Sequence, residues 1–308
     1  MQKSSINHKK YLISVVGPTA IGKTGLTIFL AKHFGSEILS NDSRQFFKEM
    51  KIGTAVPTLE ELSAVKHHFI QHISIHQTYS VGDFERDSLE FLEQYFSDHD
   101  LAFLVGGSGL YERALTEGLD EFPDIDPSIR EQLNQEFIDY GLEKLQLELE
   151  QKDPVFFTEV DQQNGKRIIR ALEIIRGTGK TFSSFRTQKK SKRNFEIIKI
   201  GLNLPREELY ERINLRVDLM IKEGLIEEAR KLYPLRELNA LQTVGYRELF
   251  DYFDGKITLE EAVEEIKKNT RRFAKRQLTW FNKDKNVSWF LPSDKVEIAR
   301  FIEEKIIN

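Results

Sequence analysis

No cysteine occurs in the 308 residues, which excludes disulfides, zinc fingers, iron–sulfur clusters and thiol nucleophiles. No apolar run approaches the length of a membrane span. Lys3, Lys9 and Lys10 precede a short apolar run, Tyr11–Val16, but no small-residue cleavage site follows it, so the segment is not a secretory signal. Internal repeats and low-complexity stretches are missing too. These absences give the expectation of a soluble, cytoplasmic protein with no membrane partner. The net charge is only −4, but the bases are clustered. Between Ile266 and Lys285 stand eight Lys or Arg and one acid, and between Arg186 and Arg193 five bases and no acid. Such stripes, rather than the total, bear on polyanion binding.

Residues 17–24 read Gly17-Pro18-Thr19-Ala20-Ile21-Gly22-Lys23-Thr24, directly after Tyr11–Val16 and before a helix-compatible stretch, residues 25–33. A Gly-x4-Gly-Lys-Thr loop between strand and helix is a phosphate cradle. Its backbone N–H groups turn inward, Lys23 reaches the outer phosphates, and the Thr24 hydroxyl can sit on a magnesium ion. The positive end of the following helix favours the anion further. By pattern alone ATP is the commonest occupant of such a loop.

Short apolar runs at residues 37–40, 69–73, 101–105, 197–202 and 287–291 join Tyr11–Val16 as expected strands separated by helical segments, which argues for a parallel sheet covered on both faces. Chemistry is then sought in the loops after the strands' C-terminal ends. Residues 122–192 read differently, as helices without a strand: Asp126-Pro127 and Asp153-Pro154 start helices, Gly141 punctuates, and residues 166–176 form another. The expected organisation is an α/β core with C-terminal helices, residues 1–121 and 193–308, carrying a helical insertion at 122–192. Residues 187–194 serve as its exit linker or as a mobile basic arm. Helices are also expected over residues 205–233, 246–253 and 259–281.

The second strand runs into Ser40-Asn41-Asp42-Ser43-Arg44-Gln45, and the fourth into a glycine-rich turn, Gly106-Gly107-Ser108-Gly109-Leu110-Tyr111. Asp42 is placed to face the phosphate loop; alternatively Asp42 and Ser43 cap a following helix. Residues 17–24, 40–45 and 106–111, with Lys51-Ile-Gly-Thr54-Ala-Val-Pro57, Tyr79-Ser-Val-Gly-Asp-Phe84, Lys166-Arg167-Ile168-Ile169-Arg170, Val244-Gly-Tyr246 and the helix of residues 270–280, occur in an order that resembles the tRNA dimethylallyltransferases, also called tRNA isopentenyltransferases. The resemblance spans nearly the whole chain. It implies a P-loop NTPase-like α/β core with helices on both faces plus the insertion. It also implies transfer of a dimethylallyl group from dimethylallyl diphosphate to N6 of the adenosine 3′ of the anticodon, in tRNAs reading codons that begin with U.

On that resemblance Asp42 matches the catalytic aspartate, and Lys23, Thr24, Ser108 and Arg216 join it. Gly17, Pro18, Thr19, Ala20, Ile21, Gly22, Lys23 and Thr24 hold the diphosphate. Asp42, Ser43, Arg44, Gln45, Ser108, Arg130, Lys166, Arg167, Ile168, Ile169 and Arg170 contact the anticodon stem-loop, Thr24 ligates Mg2+, and the protein acts as a monomer. Val56 stands where family members carry Lys, and Gln71 where Asp is common. Phe46 and Phe47 are candidates for stacking on an extruded base, or core residues of a helix they begin. Along residues 270–280, Arg272 and Arg276 fall on one face and Phe273, Gln277 and Trp280 on another. His67 and His68 are adjacent on a strand and point to opposite faces, which argues against a metal pair. Asn282-Lys283-Asp284-Lys285 lacks the final Asp of a guanine-reading element. Rival readings are an isopentenyltransferase acting on free adenine nucleotides, an ATP-dependent small-molecule kinase, and a nucleotide-switched binding protein.

Overall fold

The structure, a computed structural model, describes residues 9–187 and 190–307. Lys3 and, in the basic segment, Lys189 lie outside the described residues. The chain divides into two compact units, Met1–Glu117 with Lys192–Asn308, and Gly118–Ser191.

The first unit is built on six parallel strands: β1 (Tyr11–Val16), β2 (Ile38–Ser40), β3 (His67–His68), β4 (Leu101–Gly106), β5 (Glu196–Leu202) and β6 (Val287–Phe290). Their spatial order is β3-β2-β4-β1-β5-β6. Alternate residues of the central strands enter different cores. Leu12 and Leu104 join the one that holds Phe46, Phe84 and Leu249, whereas Ile13, Val15 and Phe103 join the one that holds Leu26, Leu30 and Ile302. Period-two alternation with both faces apolar is why β1 and β4 read as unbroken hydrophobic runs. One exception is polar. Ser14 pairs in register with Lys199 of β5, whose amine reaches Glu112 at 3.0 Å and Asp284 at 2.7 Å. Burial pushes the Glu112 carboxyl up. Burial opposes the charge on Lys199, yet Glu112 and Asp284 carry it above its usual range.

Two expectations fail. The strand expected at residues 69–73 is not formed: β3 ends at His68 because Phe69 and Gln71 take positive φ, 60° and 46°. Gln71 and Ile73 then donate their amides to the carbonyls of Gln45 and Phe46. The helix expected over residues 205–233 is two, Arg206–Lys222 and Leu225–Leu232, broken at Gly224. Helices Tyr246–Phe253 and Leu259–Phe281 form as expected.

The second unit is helical. Asp126 caps Pro127–Lys152, which kinks at Gly141, and Asp153 caps Pro154–Glu159 by accepting from the Phe156 amide at 3.0 Å. Each cap satisfies amides that the helix itself leaves open. Both helices pack with Gly165–Thr178 around Leu133, Leu145, Leu149, Ile168 and Leu172. Arg176 is held between Glu136 (2.6 Å) and Glu148 (2.5 Å). Among the described residues no helix is long and apolar enough to cross a membrane.

Candidate active site

Three loops at the C-terminal ends of β1, β2 and β4 converge on one cavity of about 440 Å³. The first is residues 17–24. Gly22 precedes the helix Lys23–Phe34 with φ 100°, a conformation that only glycine adopts without strain. Lys23 folds its amine back onto the carbonyls of Gly17 (3.0 Å) and Pro18 (2.8 Å). Burial lowers its pKa to about 8, opposed by the Asp42 charge and reinforced by Arg216. Thr19 presents its hydroxyl to Arg216, which donates at 3.5 Å, and its backbone amide to Gln277 at 2.9 Å. Arg216 is partly buried; desolvation lowers its pKa, and Asp42 is again the first charge that offsets this cost. One carboxylate thus supports both cations.

The second loop holds that carboxylate. No helix begins at Asp42. Its Oδ1 accepts the Arg44 amide at 3.1 Å and its own amide donates to Ser40 Oγ at 3.3 Å, an Asx-type turn, so the helix-cap reading is excluded. Ser43 donates its amide to Ser108 Oγ at 3.1 Å, and the two hydroxyls lie 3.2 Å apart. Arg44 donates to the carbonyls of Asn239 and Ala240, and Gln45 to those of Thr54 and Ala55. The third loop, residues 106–111, approaches closely enough that a Cβ on Gly107 would run into the Gln277 amide. Apolar side chains complete the cavity: Ile213, Val217 and Met220 from Arg206–Lys222, and Phe273 and Trp280 from Leu259–Phe281.

The structure therefore brings Thr19, Asp42, Ser43, Arg44, Ser108 and Arg216 to one cavity. Lys23 and Thr24 stand behind its wall in the phosphate loop. Ile21 is fully buried and offers only its backbone, as part of a frame with Gly17, Pro18 and Ala20. Gln45 orients its loop instead of lining the cavity.

Several expectations are corrected. Phe46 and Phe47 are both buried, 1% and 8% exposed, with Phe46 stacked on Phe84, so neither can stack on a base. They also begin no helix. Ile168 and Ile169 are core residues of the helical unit and unavailable to RNA. Arg130 and Arg170 share Glu173, at 3.1 and 2.9 Å, yet their side chains stay 48% and 41% exposed and remain at the surface; Lys166 and Arg167 are the exposed bases of that stretch with no ion pair among the described residues. Arg276 lines the cavity beside Phe273, Gln277 and Trp280 rather than standing on a separate basic face. In the basic segment Arg193 is anchored, with Glu85 at 2.5 Å and the carbonyls of Ala114 and Leu115.

Sequence reasoning left Gln277, Phe273 and Trp280 out of the site. Their 3–4–7 spacing was visible, but it fits any buried helix face equally well.

No cluster of three or more His, Asp or Glu side chains suited to a metal exists among the described residues. A magnesium ion here would have the Thr24 hydroxyl, at most one nearby carboxylate, and phosphate oxygens and water. That donor set fits a hard cation carried in with a phosphate substrate.

An "IPP transferase" family model matches residues 45–284. The tRNA dimethylallyltransferase of Christiangramia forsetii is 61% identical over 96% of this chain and 98% of its own length, and that of Flavobacterium johnsoniae 54% identical over 96% and 98%. Among solved structures, the tRNA isopentenylpyrophosphate transferase of Bacillus halodurans is similar with a TM-score of 0.72 and 39% identity, covering 97% of each chain. A eukaryotic dimethylallyltransferase acting on tRNA is similar with a TM-score of 0.75 and 26% identity, covering 88% of this chain and 70% of its own.

Proposed function

The chain belongs to the IPP transferase family, and on that premise we propose that it transfers a dimethylallyl group from dimethylallyl diphosphate to N6 of the adenosine 3′ of the anticodon in tRNAs reading U-starting codons. The observation that carries this reading is Asp42 and Arg216 at one cavity, with Lys23 of the phosphate loop behind its wall and within reach of the Asp42 charge, a base beside a cradle for negative charge.

The adenine N6 attacks the allylic C1, the C1–O bond breaks, and its electron pair leaves on the diphosphate. Lys23, Arg216 and the amides of residues 20–24 hold the charge that develops there. Binding requires Lys23 to leave the carbonyls of Gly17 and Pro18 for a phosphate oxygen, and a phosphate beside it raises its pKa again. Asp42 accepts the N6 proton, an aid worth about 10² to 10⁴ in rate. Its Oδ1 is held by the Arg44 amide and Oδ2 has no hydrogen bond among the described residues, so Oδ2 is the oxygen placed to take the proton. Ser43 and Ser108 position the base. Thr24 would hold a Mg2+ ion brought in with the diphosphate, and when bound that ion would supply further charge neutralisation on the leaving group. Lys166 and Arg167 on the helical unit contact the tRNA backbone, and the protein works as a cytoplasmic monomer.

Incubation with unmodified tRNA, labelled dimethylallyl diphosphate and magnesium is expected to place label in RNA. Label moving to AMP instead, or ATP hydrolysis without RNA labelling, overturns the reading. Asp42→Asn is expected to keep binding pyrophosphate, with affinity falling at a lower pH than in wild type because Lys23 loses the charge that favours its proton, and to lose most turnover; a wild-type rate removes Asp42 from its role.

A further inference from the structure

Gln277 is buried in the last turns of the helix Leu259–Phe281, and both ends of its amide are used. Its Oε1 accepts the backbone N–H of Thr19 at 2.9 Å, and its Nε2 donates to the carbonyl of Gly107 at 2.9 Å. A backbone donor on one side and a backbone carbonyl on the other fix which end is oxygen and which nitrogen. One turn further along, the Trp280 ring lies so close to Gly109 that a Cβ there would collide with it. This helix therefore grips the phosphate loop and the turn after β4 together.

What hangs on each end matters for the chemistry. Thr19 carries the hydroxyl that Arg216 engages, on the leaving-group side. Beyond Gly107 stands Ser108, whose Oγ accepts the Ser43 amide next to Asp42, on the side of the base. We infer that Gln277 is a positioning residue: its single amide sets the separation between the diphosphate cradle and the Ser43–Ser108 pair that carries Asp42. It touches no reacting atom. A misplacement of about 1 Å between reacting groups can cost about 10²-fold in rate, so a rigid two-ended tie at this point governs kcat more than substrate affinity. This inference rests on the transfer reaction proposed above.

Three variants test it. Gln277→Met keeps the volume and loses both hydrogen bonds. Gln277→Glu keeps the acceptor for Thr19, but as a carboxylate it sets an oxygen against the Gly107 carbonyl; protonation restores a donor there. A buried carboxyl facing a carbonyl titrates above its ordinary range. The kcat of Gln277→Glu relative to wild type is expected to rise about tenfold or more from pH 8 to pH 5.5, while the same ratio for Gln277→Met stays flat and low. Gln277→Asn, one methylene too short to span both partners, is expected to resemble Met. Hydrogen exchange at the Thr19 amide reads the contact without turnover: protected in wild type and Gln277→Glu, fast in Gln277→Met.

A flat ratio for Gln277→Glu, or a Gln277→Met enzyme with wild-type kcat per folded molecule, overturns the positioning role. An unprotected Thr19 amide in wild type overturns the contact itself. If wild-type protein transfers no label while the exchange pattern holds, the reaction assigned above has failed and the tie has not.

Discussion

Glu228 is the place where one atom's replacement has the most calculable effect. Its Oε2 accepts the amides of Lys51 (3.0 Å) and Ile52 (2.8 Å), and its Oε1 accepts the Gly53 amide (2.9 Å) and the Tyr246 hydroxyl (2.7 Å). Successive N–H groups converging on one carboxylate form an anion nest within the protein. Glu228→Gln keeps the shape but retains one acceptor oxygen, and it aims an NH2 group at two donors. Two bonds to a charged acceptor, each worth about 1.5–3 kcal/mol, are lost. Water replaces part of this at Lys51, which is exposed, leaving a loss of about 3 kcal/mol.

For a unit of this size, about 2–4 °C per kcal/mol converts that to a fall in Tm of about 6–12 °C. Tyr246→Phe removes one of the same bonds and is expected to cost about 1.5–3 kcal/mol. Because Glu228→Gln turned this way keeps the oxygen that Tyr246 uses, the double variant is expected to lie within about 1 kcal/mol of additivity. Thermal scans of the four proteins provide the assay. A Glu228→Gln protein within about 2 °C of wild type refutes the nest as a stabilising element. Turnover should fall with it, since residues 51–55 present the carbonyls that Gln45 grips beside Asp42.

Other outcomes follow from charge and burial. Pyrophosphate affinity of the wild type, compared with Lys23→Arg, is expected to fall about tenfold per pH unit above about 8, as Lys23 loses its proton; parallel profiles by calorimetry would remove Lys23 from the anion site. Burial depresses the pKa of His67 and His72 below 6.5, so the unfolded chain binds more protons than the fold in acid. Stability is then complete above about 6.5 and declines below it, and an unchanged Tm between pH 7.5 and 5 contradicts this. Lys199→Met strands Glu112 in the core and is expected to cost about 3–5 kcal/mol, most of it recovered by adding Glu112→Gln; chemical denaturation measures both. Arg167→Glu is expected to weaken tRNA binding without altering pyrophosphate binding, which a filter-binding series checks.

What could be read from the chain alone was what neighbouring residues decide. The loop 17–24, the caps Asp126 and Asp153 and the run Tyr11–Val16 each carry their signal within a few positions, and all stand where the spacing placed them. Residues 69–73 were misread because their path is set by hydrogen bonds to Gln45 and Phe46, which no local pattern encodes. Phe46 and Phe47 invited a surface role only because the aromatic shell around them, Phe84 and Tyr111 included, is assembled from distant segments. Gln277 was invisible as a site residue for the same reason: its partners lie 258 and 170 positions away. The Gly-Lys-Thr loop by itself suggests ATP; what points to a prenyl diphosphate instead is the family resemblance that residues 40–45, 106–111 and the later motifs carry together.

The strand order carries a consequence for biosynthesis. β1 is flanked by β4 and β5, and β5 follows β1 by some 185 positions, so a ribosome must finish the whole helical unit before the central strand gains its second neighbour. Until then one edge of an apolar strand stands open, the kind of surface that invites pairing between nascent chains. The helical unit has its own core and is expected to fold while this edge waits. Long-range parallel pairing is slow to close. Yield from fast expression, rather than melting temperature, is therefore where sheet mutations at Ile198 or Ile200 would first be felt.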